Sequence, residues 1–203
     1  MKRFFPAVAL TAGLALSAAA EPTDYDFADP KGVNGIVFIL DSELEPIVGI
    51  GGGVSGTIGY DAEDPASFSG SISVAVSELK VVNTGMTNAM MKDDWLNVAA
   101  NAQLTVEFGE VVEVETEGDG EAVVVVEGVL KFAGLEIEKE FEILATHIED
   151  GAPGRGRASS GDLLVLRSEF TVSRSDLGIK PEMGPEKVAE EIHIIVPIAG
   201  YAK

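Results

Sequence analysis

The stretch Leu135-Glu136-Ile137-Glu138-Lys139-Glu140-Phe141-Glu142-Ile143-Leu144-Ala145 decides how this chain is read. On an extended backbone Leu135, Ile137, Phe141, Ile143 and Ala145 point one way, and Glu136, Glu138, Glu140 and Glu142 point the other. Only Lys139 breaks the apolar row. A helix would scatter these glutamates over all its faces, whereas a period of two describes a strand with one face in a core and one in water.

The same pattern extends outward in both directions. Upstream, Ala122, Val124, Val126, Leu130 and Phe132 share a face, with Val123, Val125 and Val129 making the opposite face apolar as well. Before them Leu104, Val106, Phe108, Val112 and Val114 alternate with Thr105, Glu107, Glu113 and Glu115. Further rows are Ile36, Phe38 and Leu40; Val48, Ile50, Val54, Ile58 and Tyr60; and Ile72, Val74 and Val76. Downstream come Leu164, Leu166, Phe170 and Val172, then Val188, Ile192, Ile194, Val196 and Ile198. Glycine, proline and aspartate at 61–65, 117–120, 133–134 and 149–154 supply tight reversals between them. One interval lacks alternation: Met86, Met90, Met91, Trp95 and Leu96 are spaced as on a helix.

Eight one-sided strands joined by hairpins predict an all-β fold, an eight-stranded antiparallel up-and-down barrel with one short helical insertion, because closure removes exposed sheet edges. A barrel of this size is either filled by its own side chains or holds one small ligand. Long strands with aliphatic interiors, in a chain only 6% aromatic, favour an incompletely filled interior.

Lys2 and Arg3 precede the apolar run Phe4–Leu16 and the small residues Ser17-Ala18-Ala19-Ala20. Residues 1–20 therefore read as a cleaved secretory signal, and residues 21–203 as a single periplasmic or secreted domain. Loss of Lys2 and Arg3 takes the formal charge from −20 to −22, a surface that repels nucleic acid and anionic lipid headgroups. The absence of cysteine rules out disulfides and thiol chemistry. With only His147 and His193 as imidazoles, no catalytic, metal or cofactor site is expected.

Four stretches resemble the YceI-like family of periplasmic lipid- or polyisoprenoid-binding proteins. They are Phe68-Ser69-Gly70-Ser71-Ile72 running to Ser77-Glu78-Leu79, Met91-Lys92-Asp93-Asp94-Trp95-Leu96 leading to Leu104-Thr105-Val106-Glu107-Phe108, Gly128-Val129-Leu130-Lys131-Phe132-Ala133-Gly134, and Arg174-Ser175-Asp176-Leu177-Gly178-Ile179. The similarity runs over about residues 25–199. It implies a lipocalin-like barrel, with a helical insertion after the third strand, whose core holds a long isoprenoid chain. Family members often carry a histidine where this chain has Asp41-Ser42, and an arginine and a histidine where it has Thr87 and Met90. The headgroup contacts of the family therefore do not carry over.

Phe38, Val48, Phe108, Leu130, Phe132, Phe141, Ile143, Phe170 and Ile194 are expected to line the cavity, being apolar and on inward rows. Met86, Met90 and Trp95, with Met91, are expected to form an adaptable mouth or to pack the helix on the barrel. Arg174 and Asp176 fit a brace at a strand end better than a headgroup site. Gly49-Ile50-Gly51-Gly52-Gly53-Val54-Ser55-Gly56 is not followed by Gly-Lys-Ser or Gly-Lys-Thr and reads as a curved strand, not a phosphate loop. Asp61, Glu63 and Asp64 read as a solvated turn. The function expected is a non-enzymatic carrier or sequestering protein for an isoprenoid-type lipid or other long apolar molecule, as monomer or homodimer, without stable membrane insertion. Two alternatives stand beside it. One is a ligand-free surface module with a filled core; the other is an outer-membrane barrel, for which three tyrosines and one tryptophan make thin aromatic girdles.

Overall fold

A computed structural model of the chain describes residues 21–118, 120–156 and 159–203. The expected signal segment 1–20 and Asp119 of the 117–120 turn lie outside the described residues. In chain order the elements are β1 Thr23–Asp26, β2 Ile36–Leu40, β3 Ile47–Gly51, β4 Ser55–Asp61, β5 Asp64–Ala75, β6 Leu79–Val81, α1 Thr84–Met90, β7 Gln103–Gly118, β8 Glu121–Phe132, β9 Leu135–Ile148, β10 Leu163–Ser173 and β11 Glu191–Ala202. They form one antiparallel sheet in the order β1-β4-β5-β7-β8-β9-β10-β11-β2-β3-β6, and β1 also pairs with β11. The eight strands β1, β4, β5, β7, β8, β9, β10 and β11 thus close a barrel, and β2, β3 and β6 extend its wall.

The eight strands expected from the sequence become eleven among the described residues through two interruptions and one added short strand, β1. β3 and β4 are separated only by Gly52-Gly53-Val54, where Gly53 takes a left-handed φ of 60° that bends the ribbon. One 3-10 turn, Val76–Glu78, separates β5 from β6. β1 and β2 share the free edge of β11, with β2 on His193–Ile195 and β1 on Tyr201 and Ala202. Between these two contacts the buried side chain of Asn34 replaces a strand. Its Nδ2 donates to the carbonyls of Phe27 (2.9 Å) and Ala199 (2.8 Å), and its Oδ1 accepts from the Ala199 amide (3.0 Å). Three backbone groups that would otherwise be stranded inside the wall are satisfied by one amide. Asn34→Ala is expected to lower the unfolding free energy by about 2–4 kcal/mol in urea denaturation, the cost of leaving such groups unpaired.

Of the rows read from β8, β9 and β10, Val124, Val126, Leu130, Phe141, Ile143, Leu164 and Leu166 are buried, whereas Leu135, expected inward at the start of β9, is 42% exposed. Elsewhere the inward face differs. Val48 was expected inward, but it is 48% exposed, as is Ile50 at 58%, because the inward positions of β3 are Ile47, Gly49 and Gly51. A Cβ on Gly49 would run into the Phe38 ring, so that ring takes the space an alternating strand would fill with its own side chain. Val112 is also turned out, since register shifts on either side of Val111 leave Val111 packed against the core in its place. The helix is shorter than expected, ending at Met90. Met91 to Leu96 form turns that lead to Asn97 at a φ of 47°. Val188 precedes β11 but is buried.

Gly56 and Gly70, on paired strands β4 and β5, have φ of 135° and 127°. A Cβ on Gly56 would strike the Ser71 carbonyl, and one on Gly70 the Thr57 carbonyl, so the two strands approach more closely than side chains permit. The β8–β9 hairpin turns on Ala133 and Gly134, both left-handed at φ of 53° and 80°. Alanine is the wrong residue for the first position of such a turn. Ala133→Asn is expected to raise the unfolding free energy by about 1 kcal/mol, measured by thermal denaturation.

Candidate functional site

One end of the barrel is solid. Ile58, Tyr60, Phe68, Val124, Val126 and Leu164 are each at most 1% exposed. From Tyr60 and Phe68 an edge-to-face series of rings continues through Phe108 and Phe141 to Phe170, with centroids 5.0 to 6.3 Å apart. The series passes from β7 to β9 over Gly128 of β8, where a Cβ would sit 2.9 Å from the Phe141 ring. A glycine in the middle of a long buried strand therefore serves to seat an aromatic ring on its neighbour.

The other end is hollow. A cavity of about 280 Å³ lies against the β2–β3–β6 extension, lined by Ile36, Phe38, Leu40 and Ile47 from β2 and β3, Leu79 and Val81 from β6, Met86, Ala89 and Met90 from α1, Trp95 and Leu96 beyond it, and Ile192 and Ile194 from β11. Four further apolar walls, Leu177, Ile179, Met183 and Val188, come from the segment between β10 and β11. The charged residues of the lining are Glu45, Arg174 and Lys187, of which Glu45 and Lys187 are exposed. A smaller chamber of about 80 Å³ lies inward of it, bounded by Phe108, Phe141, Ile143 and Phe170, with Ser168 its one polar lining residue. Ile36, Leu79, Leu104 and Ile194 border both spaces.

Of the residues expected at the cavity, Phe38, Met86, Met90, Trp95 and Ile194 line the outer space, and Phe108, Phe141, Ile143, Phe170 and Ile194 the inner one. Three expected residues do not line it. Val48 faces outward, and Leu130 and Phe132, though buried, belong to the packed wall and border neither space. Met91 likewise stays outside the lining. Leu177, Ile179 and Met183 were missed because they sit in irregular structure, where no period marks them, and Val188, read as the start of the last inward row, precedes β11 and lines the cavity from that same segment. Their one signal is apolar side chains scattered through a turn-rich segment.

Arg174 holds that segment together. Only 1% exposed, it donates through Nη1 to the carbonyls of Ile179 (2.7 Å) and Lys180, through Nη2 to Met183 (2.9 Å) and the Glu190 carboxylate (3.1 Å), and through Nε to Ala189 (3.2 Å). The brace expected from its position is thus what the geometry shows, while Asp176 is exposed. Lys180 links this segment to the Met86–Leu96 region by an ion pair with Asp94 (2.8 Å), its ammonium 5.8 Å from the centroid of the Trp95 ring.

The histidines sit away from the cavity. His147 pairs with Asp162 at 3.2 Å and meets the edge of Tyr25, and His193 lies 3.6 Å from Glu169 on the outer face. Neither lines either space.

The Ser173 hydroxyl, 2.5 Å from Glu190, and then the hydroxyl and amide of Ser175, with Arg174 adding its charge, hold the Glu190 carboxyl down from its ordinary 4.5 to about 2. A lowered carboxyl contributes stability that is present above 4.5 and disappears as pH falls through about 2. Burial raises the Tyr25 phenol to about 12, so its contribution is present below its ordinary 10.0 and disappears as pH rises through about 12. The melting temperature is expected to fall outside the window these groups bound, and Glu190→Gln is expected to flatten the acid limb between 4.5 and 2. An unchanged acid limb in thermal scans of that variant would contradict the assignment.

The model of the YceI-like domain family matches residues 39–199. No curated protein sequence matches. Among solved structures, a polyisoprenoid binding domain from Saccharophagus degradans, implicated in plant cell wall breakdown, superposes with a TM-score of 0.64 at 9% identity, covering 90% of this chain and 99% of its own. BcnA of Burkholderia cenocepacia gives 0.63 at 15% identity, covering 82% and 95%. A YceI protein of Campylobacter jejuni gives 0.62 at 15% identity, covering 76% and 84%. At these identities the structural likeness concerns the fold.

Proposed function

The chain belongs to the YceI-like domain family, and from that premise we propose that it is a periplasmic or secreted carrier or sequestering protein that takes the apolar chain of an isoprenoid-type or similar lipid into its barrel. The observation that carries this reading is the cavity itself: apolar walls inside, exposed Glu45 and Lys187 at the rim. Such a space binds by removing hydrocarbon from water, at about 25 cal/mol per Å², while the polar end of the lipid stays at the rim. The name of the Saccharophagus domain supports the same ligand class. The reading involves binding without covalent chemistry: the buried Arg174 is committed to five protein acceptors and the histidines stand outside the cavity.

Trp95 is the single tryptophan of the chain and lines the cavity, so its fluorescence reports occupancy. Titration of lipid-stripped protein with farnesol is expected to change Trp95 emission saturably at about one equivalent. Unchanged emission, with no uptake of a polarity-sensitive dye, would favour the ligand-free surface module.

A further inference from the structure

We infer that the outer chamber carries a methionine-oxidation site: Met86, Met90 and Met183 each take an oxygen atom from a hydroperoxide, and the sulfoxides lower the affinity for an apolar chain. The inference rests on the carrier reading above. Apart from Met1 the sequence has four methionines, at 86, 90, 91 and 183, and it has no cysteine, so thioethers are its only oxidisable sulfur. Three of those four line the outer chamber. They arrive from two separate stretches, Met86 and Met90 one helical turn apart on α1, and Met183 from the segment between β10 and β11. The ion pair of Lys180 with Asp94 ties the two stretches together. The strands contribute only isoleucine, leucine, valine and phenylalanine to the same space. Sulfur is thus confined to the irregular side of the chamber, and all three side chains are half-buried, open to a molecule as small as a hydroperoxide.

In the reaction the thioether sulfur attacks the terminal oxygen of the hydroperoxide, and an S–O bond forms as the O–O bond breaks. Sulfur gives up an electron pair, the peroxide is reduced to water or an alcohol, and the proton of the attacked hydroxyl passes to the departing oxygen. A methionine sulfoxide reductase reverses the step, a dithiol becoming a disulfide as the oxygen leaves in water. Oxidation turns a flexible apolar side chain into a polar one. A hydrocarbon chain lying over the sulfoxides takes them from water, and the lining returns little. Arg174 is committed to five acceptors, Lys187 is exposed at the rim, and the Trp95 indole is the one other side-chain donor. Covering a polar group that lacks its hydrogen bonds is expected to weaken binding about tenfold for each sulfoxide covered.

The test titrates lipid-stripped protein with farnesol before and after treatment with hydrogen peroxide, the peroxide being removed and the oxidised positions located by peptide mass spectrometry. With Met86, Met90 and Met183 oxidised and the melt still cooperative, affinity is expected to fall at least about tenfold, and sulfoxide reductase with a dithiol is expected to restore it. A chain over the three also shields them, so saturating farnesol is expected to slow their oxidation while Met91, outside the lining, reacts at its former rate. In the triple variant Met86→Leu, Met90→Leu and Met183→Leu, a volume-conserving set, peroxide is expected to leave that variant's own affinity where it was, whereas in Met91→Leu the fall persists. Unchanged affinity in the fully oxidised protein overturns the inference and leaves the carrier reading intact. An equal fall in the triple variant, or loss of the cooperative melt on oxidation, overturns it as well. Failure of the untreated protein to bind farnesol overturns the carrier reading itself.

Discussion

Arg174→Ala is expected to lower the unfolding free energy by about 3–5 kcal/mol, the range for breaking a buried charged network by removing one partner. Five acceptors lose their donor together: the carbonyls of Ile179, Lys180, Met183 and Ala189, and the Glu190 carboxylate. Each buried carbonyl left without a partner costs about 1–3 kcal/mol, and relaxation of the segment recovers part of that. The loss has a functional counterpart, because the segment tied down by Arg174 carries Leu177, Ile179, Met183 and Val188 into the cavity wall. Arg174→Lys is expected to recover only a fraction, since a single ammonium cannot reproduce the planar fork that meets carbonyls on several sides. Urea denaturation of the three proteins measures both effects, and a loss below about 1 kcal/mol for the alanine variant would mean that the segment is held chiefly by its apolar contacts.

The second large effect concerns binding. Ala89→Trp places an indole where α1 offers its smallest lining side chain, at the outer chamber. Filling that space removes room for a bound chain, and denying burial of about 110 Å² of apolar surface corresponds to about a hundredfold in affinity at 25 cal/mol per Å². Stability is expected to change little, because Ala89 is only partly buried and its cavity-facing side meets empty space. Loss of ligand uptake with an unchanged melting temperature is the expected pair of results, and uptake retained at full affinity would place the ligand elsewhere on the molecule.

How much of this was legible in the sequence depends on whether one strand alone carries the signal. β9 could be read without its neighbours because glutamate and apolar residues alternate along it. β3 could not. Two of its three inward positions are Gly49 and Gly51, and the reason lies on β2, whose Phe38 ring occupies the space over Gly49. The alternation of Val48 and Ile50 was therefore real but belonged to the outer face. β1, the four residues Thr23–Asp26, is too short and polar for a period to register. The register shift at Val111 in β7 shows the same limit, because a bulge shifts the inward set without changing composition. What only the structure reveals is glycine seating an aromatic ring: Gly49 with Phe38, Gly128 with Phe141, and Gly200 with Phe27. Arg174 was legible as a brace, yet its partners lie up to sixteen residues away in irregular chain, so the wall it builds was not.

The position of Asn34 illustrates the complementary case. Nothing in the order of residues marks it, because its function arises only where β1 leaves the edge of β11 and β2 takes it up. Polar residues that stand in for a missing stretch of strand become visible through the backbone groups they satisfy.

A carrier of this kind holds a hydrocarbon chain in the space inside its barrel. Mass spectrometry of an organic-solvent extract, taken from protein purified without detergent from its native host, tests that most directly. One family of chain amphiphiles at close to one molecule per protein is the predicted result. An extract free of lipid, from protein that also takes up no farnesol, would contradict it.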